Sequence, residues 1–359
     1  MSGPRPTEVR LTIEPKRRFE AIDINKRVEA EAGDVLRRHK RALYCSLHTT
    51  AGYLEQSLSA RLRHDEDRLA QFIRSFHSVF PQGAEYHHDR MELRTELTDA
   101  QKEVEPRNAD SHLTFIGAGL RNCVTYLTRP DVPVAPVYFI DLDGAYKKTR
   151  RTRTTAVVAY DDERVVLQTP VRIPVSKHPI DSVNLADPRV GLMEQVNELL
   201  ARTGLERGRV DVSLDACERN VGLTVNEYET LLMRNDLVDV LKNPLRFAKI
   251  KAQNMLDDPR AIPGKTLSYA KYDVVRVLNR LMEALRLDQG ALERLVGKIM
   301  AVPASRFIRT RRVSFLAARD GDSPSARVLR GTYQSPILVQ WQQAEHQERR
   351  LEISIVKLS

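Results

Sequence analysis

Ala42-Leu43-Tyr44-Cys45-Ser46-Leu47 is an apolar run that ends on His48 and passes through Thr49-Thr50-Ala51 to Gly52. Six such residues bounded by polar sequence predict a short buried strand. The chain offers a second run of this kind, Val210-Asp211-Val212-Ser213-Leu214, with Ser213-Leu214-Asp215 where the first has Ser46-Leu47-His48. A glycine follows each run, and then a helix-like stretch. One strand met twice in similar surroundings points to a repeated unit, and a repeat constrains the architecture more than any single element.

Outward from the first run, residues 8–13 read as a strand, 23–38 as a helix with Ile24, Val28, Val35 and Leu36 on one stripe, and 61–76 as a second helix. Residues 80–105 are polar and broken by Pro81 and Gly83, which predicts loop. A short helix over 108–117 and strands over 123–127, 136–142 and 154–160 complete the first half. After a Pro-bearing connector at 169–179, a helix with Leu192, Val196, Leu199 and Leu200 leads to the second run. Pro136-Val137-Tyr138-Phe139 followed by Arg150-Arg151 then finds its match in Pro336-Ile337-Leu338-Val339 followed by Arg349-Arg350. The expected organisation is a tandem duplication, with domains spanning 1–172 and 180–359.

The 359 residues exceed the usual size of one compact domain, and an apolar fraction of 42% with 29% charged residues is that of a soluble globular chain. No window approaches the roughly 18 apolar residues of a membrane span. The first ten residues carry Pro and Arg without the apolar core of a secretory signal, so a cytoplasmic location is expected. Cys45, Cys123 and Cys217 are too few and too scattered for a disulfide framework or a CxxC knuckle, and read as small core residues. The formal charge of +9 suits anionic partners in general. The basic runs at 147–153 and 306–312 nevertheless merge into strand-like sequence, as one solvated face would, and no helix-turn-helix, RNP or zinc-finger pattern accompanies them. Sequence-specific nucleic-acid recognition is therefore not expected. GxxxxGK[ST], GxGxxG after a strand and GxSxG are absent too, which removes nucleotide-loop and serine-hydrolase readings.

Seven of the nine histidines fall between His39 and His112. His48 ends the first run, His88 sits in Tyr86-His87-His88-Asp89, and His112 closes Asn108-Ala109-Asp110-Ser111-His112. Three imidazoles from a strand end, a loop and a helix can converge on one divalent ion and leave its fourth position to water or substrate. Asp89, Asp110 and Asp65 are carboxylates available to fix an imidazole tautomer. Taken singly, each histidine reads as well as a hydrogen-bonded structural residue, because spacings of tens of residues carry no local signature.

Together the strings resemble the YjbQ-like family, also known as the secondary thiamine-phosphate synthase family. Its pattern runs from a strand ending HTTA or HTSA through an Asn-Glu pair, an RHD-like helix start, a Tyr-x-His-Asp loop and an Asn-Ala-x-x-His helix. A Gly-Thr-Trp-Gln strand and paired arginines close it. The first half has His48-Thr49-Thr50-Ala51, Arg63-His64-Asp65, Tyr86-His87-His88-Asp89, and Asn108-Ala109 with His112. It departs at Gln56-Ser57, near the place of Asn-Glu, and at Asp131-Val132-Pro133-Val134, near that of Gly-Thr-Trp-Gln. The second half reads Asp215-Ala216-Cys217-Glu218 in place of the histidine motif, yet carries Asn226-Glu227 and Gly331-Thr332-Tyr333-Gln334. The pieces missing from one half stand in the other.

The resemblance implies two tandem YjbQ-like α+β domains, each a small mixed or antiparallel sheet flanked by helices. It implies a metal-dependent enzyme, a transferase or hydrolase, acting on a small phosphorylated or heterocyclic compound. His48, His88 and His112 would then ligate a divalent metal, zinc in particular. Asp89, Asp65 and Glu227 would orient ligands or move protons. Asn226, Gln334, Thr49 and Asn108 would face the substrate, with Arg150 and Arg151 taking up its anionic group. A homo-oligomer is expected, since family members assemble. A non-catalytic, metal-stabilised scaffold and a basic nucleic-acid binder are the alternatives. The division of motifs itself has two readings: a site shared by both copies, or a decaying second copy in which Asn226 caps a helix and Gln334 is an ordinary strand residue.

Overall fold

The computed structural model describes residues 5–128, 133–146, 149–242, 247, 307–319 and 325–359. The chain is mixed α+β, and its strands pair antiparallel. The first half holds β1 (Thr7–Ile13), β2 (Glu20–Asp23), β3 (Arg41–Ser46), β4 (Ala51–Gly52), β5 (Cys123–Leu127), β6 (Tyr138–Asp141), β7 (Ala145–Tyr146), β8 (Thr149–Arg150) and β9 (Arg153–Tyr160). Between them lie α1 (Ile24–Ala32), α2 (Gln56–Arg61), α3 (Glu66–Val79), α4 (Asp99–Val104) and α5 (Ala109–Ala118). The second half holds β10 (Glu163–Pro174), β11 (Asp181–Asn184), β12 (Arg207–Leu214), β13 (Val221–Asn226), β14 (Arg312–Ala318), β15 (Arg327–Val328), β16 (Ser335–Gln340) and β17 (Glu348–Leu358), with α6 (Leu192–Thr203) and α7 (Leu237–Lys242). Among the described residues no helix is long and apolar enough to cross a membrane.

The two halves share one topology. The first builds sheets of order β1-β9-β3-β5 and β2-β6-β4, and the second builds β10-β17-β12-β14-β15 and β11-β16-β13. The registers correspond as well as the order. Ile13 faces Arg153 across β1 and β9, as Ile173 faces Arg349 across β10 and β17. Ala51 faces Asp141 across β4 and β6, as Val221 faces Gln340 across β13 and β16. Beyond the glycines, Tyr53 N donates to Arg121 O and Leu223 N to Thr310 O, 2.8 Å in both cases. Arg349 is therefore the counterpart of Arg153, three positions from the alignment with Arg150 that sequence alone suggests.

Local sequence explains where elements depart from expectation. The helix expected over 23–38 stops at Ala32, because Gly33 turns left-handed at φ 65°, and a 3-10 turn at Val35–Arg37 follows. The helix expected over 61–76 is two: Arg63 and His64 adopt φ 60° and 51°, and α3 restarts on Asp65, whose carboxylate caps Arg68 N. The connector expected at 169–179 is, up to Pro174, a strand paired along β17. Its prolines disguise it, and they are tolerated because β10 is an edge strand. This pairing puts residues 163–172 in the second half's sheet.

Each half has a core of its own, around Tyr44, Tyr53 and Phe139 in the first and Leu200, Val212, Phe315 and Ile353 in the second. Two further clusters are shared. Leu43, Cys45, Val158 and Tyr160 pack against Leu316, Val356 and Leu358. Phe80, Tyr86, Leu113 and Ile116 pack against Leu232, Leu237, Ile337 and Val339. A fully buried apolar side chain stabilises by about 1.5–3 kcal/mol, so the seam between the halves is core rather than a loose contact.

Charge is buried symmetrically. Arg153 Nε and Nη2 donate to both oxygens of Asp141 at 2.7 and 2.9 Å, and Arg349 Nη1 donates to Glu218 at 2.9 Å. Removing one member strands the other charge, so Arg153→Ala should lose about 3–5 kcal/mol in urea unfolding. The pair Arg153→Met with Asp141→Leu should recover most of that loss, and a double variant no more stable than the single one would show the ion pair is not its cause.

Candidate functional site

His112 is held on α5, whose ten residues are all buried. Asn108 lends this helix no side-chain cap; instead Asp89 Oδ1 accepts from Ala109 N at 3.1 Å, so the Tyr86–Asp89 loop is tied to the start of the helix. Asn226, at the end of β13, fixes the ring from the other half. Its Oδ1 accepts from Glu227 N at 2.8 Å, which settles the amide's orientation, and the same oxygen faces His112 Nδ1 at 2.6 Å. The proton must therefore sit on Nδ1, and Nε2 is left with a bare lone pair. That nitrogen is buried with no hydrogen-bond partner, and Glu227 Oε2 lies 3.8 Å away. Burial, and then the charge of His88, hold His112 well below the usual imidazole range, while burial pushes the Glu227 carboxyl up.

His88 is the opposite case. Its ring meets that of His112 edge to face, with centroids 5.3 Å apart. Nδ1 donates to Glu229 at 2.9 Å, and Nε2 faces Asn108 Oδ1 at 3.2 Å, an orientation set by the Asn108 amide donating to Asp143 at 2.8 Å. Burial alone would lower its pKa, but the Glu229 hydrogen bond and the Asp89 charge prevail and raise it. With acceptors on both nitrogens it is an imidazolium. Asp236, in a π turn at Leu232–Asp236, accepts from the backbone N–H of both His87 and His88 at 3.1 and 3.0 Å. Buried Arg94 completes the group, 3.7 Å from Glu227 and within 3.5 Å of His88 Nδ1.

His48 is engaged differently. Its Nε2 accepts the N–H of Thr154, the residue after Arg153, at 2.7 Å. Burial, then Arg153 and Arg151, lower its pKa to about 3, so it is neutral and Nδ1 carries the proton. Gln334 grips the backbone on either side, its Nε2 donating to Ser46 O at 3.0 Å and His48 O at 2.9 Å, while Gly331 N donates to its Oε1 at 3.0 Å. A side chain at Gly331 would collide with Leu47 O, so only glycine lets this turn approach so closely.

These groups border a cleft of about 530 Å³ lined from both halves, by His48, Thr49, Asn108 and Arg151 from one and Glu227, Tyr333 and Gln334 from the other. Arg151 is steadied by Asp143 at 2.9 Å. The structure thus brings together His48, Thr49, Asn108, Arg151, Glu227 and Gln334 at the cleft, with His88, His112, Asp89 and Asn226 just behind. Asp65 belongs to the cap of α3 instead. The side chain of Arg150 lies outside the described residues. Sequence reading missed Arg94, Glu229 and Asp236. The first sits alone in a charged loop, and only the Glu227-Tyr228-Glu229 repeat beside Asn226 hints at the second.

Whether these side chains suit a divalent cation turns on their free lone pairs. His112 Nε2 and the Glu227 carboxyl group suit one, since their oxygen and nitrogen face each other at 3.8 Å. His88 suits one through Nε2 once deprotonated there, its Nδ1–H remaining on Glu229 as an outer carboxylate. His48 does not fit, because its unprotonated nitrogen already accepts from Thr154. Among the described residues, no group of three or more His, Cys, Asp or Glu side chains is arranged to hold an ion.

No family model matches the chain, and no curated protein does. Among solved structures it is similar to a YbjQ-like protein of unknown function from Sulfolobus solfataricus, at 14% identity and TM-score 0.29, over 55% of this chain and 99% of that one. A hypothetical protein from Aeropyrum pernix matches at 14% identity and TM-score 0.28, over 54% and 99%. An uncharacterised conserved protein of the YjbQ/UPF0047 family from Clostridium acetobutylicum matches at 12% and 0.25, over 54% and 100%.

The Gln334 contacts should be measurable directly. Gln334→Ala leaves two carbonyls without their donor, and should cost about 1–3 kcal/mol while speeding amide exchange in residues 46–50. Unchanged exchange there would show that the turn does not hold the His48 segment.

Proposed function

We propose that the chain is a tandem duplication whose two copies share one active site, and that it is a metal-dependent enzyme acting on a small anionic compound, phosphorylated or heterocyclic, at their seam. One observation carries this reading: the bare Nε2 of His112, buried and unpartnered, faces the Glu227 carboxylate at 3.8 Å. A buried acceptor left unsatisfied costs about 1–3 kcal/mol, and two acceptors face to face call for a positive charge between them. His112 and Glu227 are the residues that would hold a divalent ion as they stand, and His88 would join them only on giving up its Nε2 proton and its contact with Asn108. Zinc suits them, as an ion that takes imidazole and carboxylate and leaves a position open. When bound there it would polarise a carbonyl or phosphoryl oxygen and lower the pKa of its water toward 7.

The chain's own residues supply the rest. Arg151, at the cleft wall, offers its guanidinium to the ligand's anionic group. Asn226 keeps the His112 proton on Nδ1, and Glu229 does the same for His88. The shared site is supported by the opposite origins of these partners, since Asn226, Glu227, Glu229 and Gln334 come from the half that lacks the three histidine motifs. The matched strand order of the two halves supports the duplication.

A metal-free reading has one observation in its favour. His88, with an acceptor on each nitrogen, is already a compensated cation beside Arg94, and Glu227 with neutral His112 would then be an acid–base pair. Elemental analysis separates the two. After exposure to zinc and desalting, the wild-type chain should retain a stoichiometric divalent ion, His112→Ala should lose it, and His48→Ala should keep it. Equal content in wild type and His112→Ala overturns the ligand assignment, and an empty wild type overturns the metal reading.

A further inference from the structure

Cys45 and Cys123 stand directly opposite each other on β3 and β5. Both are buried, and their sulfurs are 2.8 Å apart. Ser46 N donates to Asn122 O at 2.7 Å, so the hydrogen bonds of this ladder fall on the next residue pair. The cysteines thus occupy a non-hydrogen-bonded position, where facing side chains approach most closely and the Cα separation lies in the range of disulfides. Nothing in their spacing of 78 residues announces this; strand register alone creates the pair.

The place of the pair gives it consequence. His48, Arg94 and His112, and with them His88, Asp89 and Asn108, all lie on the segment that starts at Cys45 and ends at Cys123. A bond between the two sulfurs would close that whole segment into a loop at its base. Leu316, Val356 and Leu358 of the second half share one buried cluster with both cysteines, so a small oxidant reaches the sulfurs when the seam opens. Cys45 also directly precedes Ser46, whose carbonyl Gln334 grips.

We propose that Cys45 and Cys123 are a reversible redox pair, joined by a peroxide into a cross-strand disulfide that fastens the histidine-bearing segment. In the first step one sulfur attacks a peroxide oxygen: an S–O bond forms, the O–O bond breaks, and the departing hydroxide takes up the thiol proton as water. In the second the other sulfur attacks the resulting sulfenic acid: the S–S bond forms, the S–O bond breaks, and a second water leaves with the second thiol proton. Two thiols lose two electrons and two protons, and hydrogen peroxide becomes two waters. A dithiol reductant reverses the change by exchange.

The test uses the full-length reduced protein and hydrogen peroxide, followed by unfolding in an alkylating agent and peptide mass analysis. A peptide pair joined through Cys45 and Cys123 is expected, reversible by dithiothreitol and formed equally by Cys217→Ser, which removes the exposed third cysteine. Its rate should rise several-fold in sub-denaturing urea, and the oxidised chain should melt above the reduced one, a shift that Cys123→Ala lacks. Recovery of Cys45 and Cys123 as alkylated free thiols, with and without urea, overturns the proposal. So does their recovery only as sulfinic or sulfonic acids, or bonded to Cys217.

Discussion

Ser46 O and His48 O lie where β3 leaves its ladder, and a buried carbonyl at such a point must find a donor from elsewhere. One amide, that of Gln334, supplies both. Because it comes from the other half, the strand end that carries His48 is finished only when the halves are joined. Thr49 O is reached in turn by the Asn226 amide at 3.4 Å, and Asn226 is the residue that decides the tautomer of His112. Through two short polar side chains the geometry of the seam becomes the geometry of the site.

The charges near the histidines obey the same dependence. His88 and Arg94 are positive and buried, and each would be costly alone. Glu229 sits below the usual carboxylate range because the His88 hydrogen bond and two backbone N–H groups outweigh its burial. Asp236 is spent on backbone N–H groups of the His87–His88 turn. Glu227 is raised by burial and loosely paired, with Arg94 at 3.7 Å and the bare nitrogen of His112 at 3.8 Å. Glu227 also lines the cleft, so this loosely held carboxyl is the one the cluster presents there.

Much of this was legible beforehand, and what was not has identifiable causes. The strings around His48, His88 and His112 are local, so they could be read, and so could Asn226-Glu227 and Gln334. Arg94, Glu229 and Asp236 compensate buried charges over separations such as the 141 residues from His88 to Glu229, and no spacing rule marks such pairs. β10 was hidden by its prolines, which an edge strand accepts. Asp65 looked like part of a motif and proved to be a helix cap, a role that its position before Glu66 would also have allowed. Cys45 and Cys123 looked scattered because their meeting is a matter of register.

The second half shows how one strand position differs in character from its match in the first. Arg350 N, the counterpart of Thr154 N, donates to Glu218 Oε1 at 2.8 Å, so a carboxylate does there what the His48 imidazole does in the first half. The same carboxylate also takes Arg349 at 2.9 Å, and the strand position that holds Asp141 in the first half holds neutral Gln340. The acid that balances the arginine thus stands on the strand in the first half and on the loop in the second. A loop bearing that acid is bound down over the arginine beneath it. A neutral histidine in its place can accept the backbone N–H but cannot balance an arginine, so the acid must stay on β6, and the loop's remaining polar atoms face the cleft. That exchange accounts physically for the half that keeps the histidine keeping the open site.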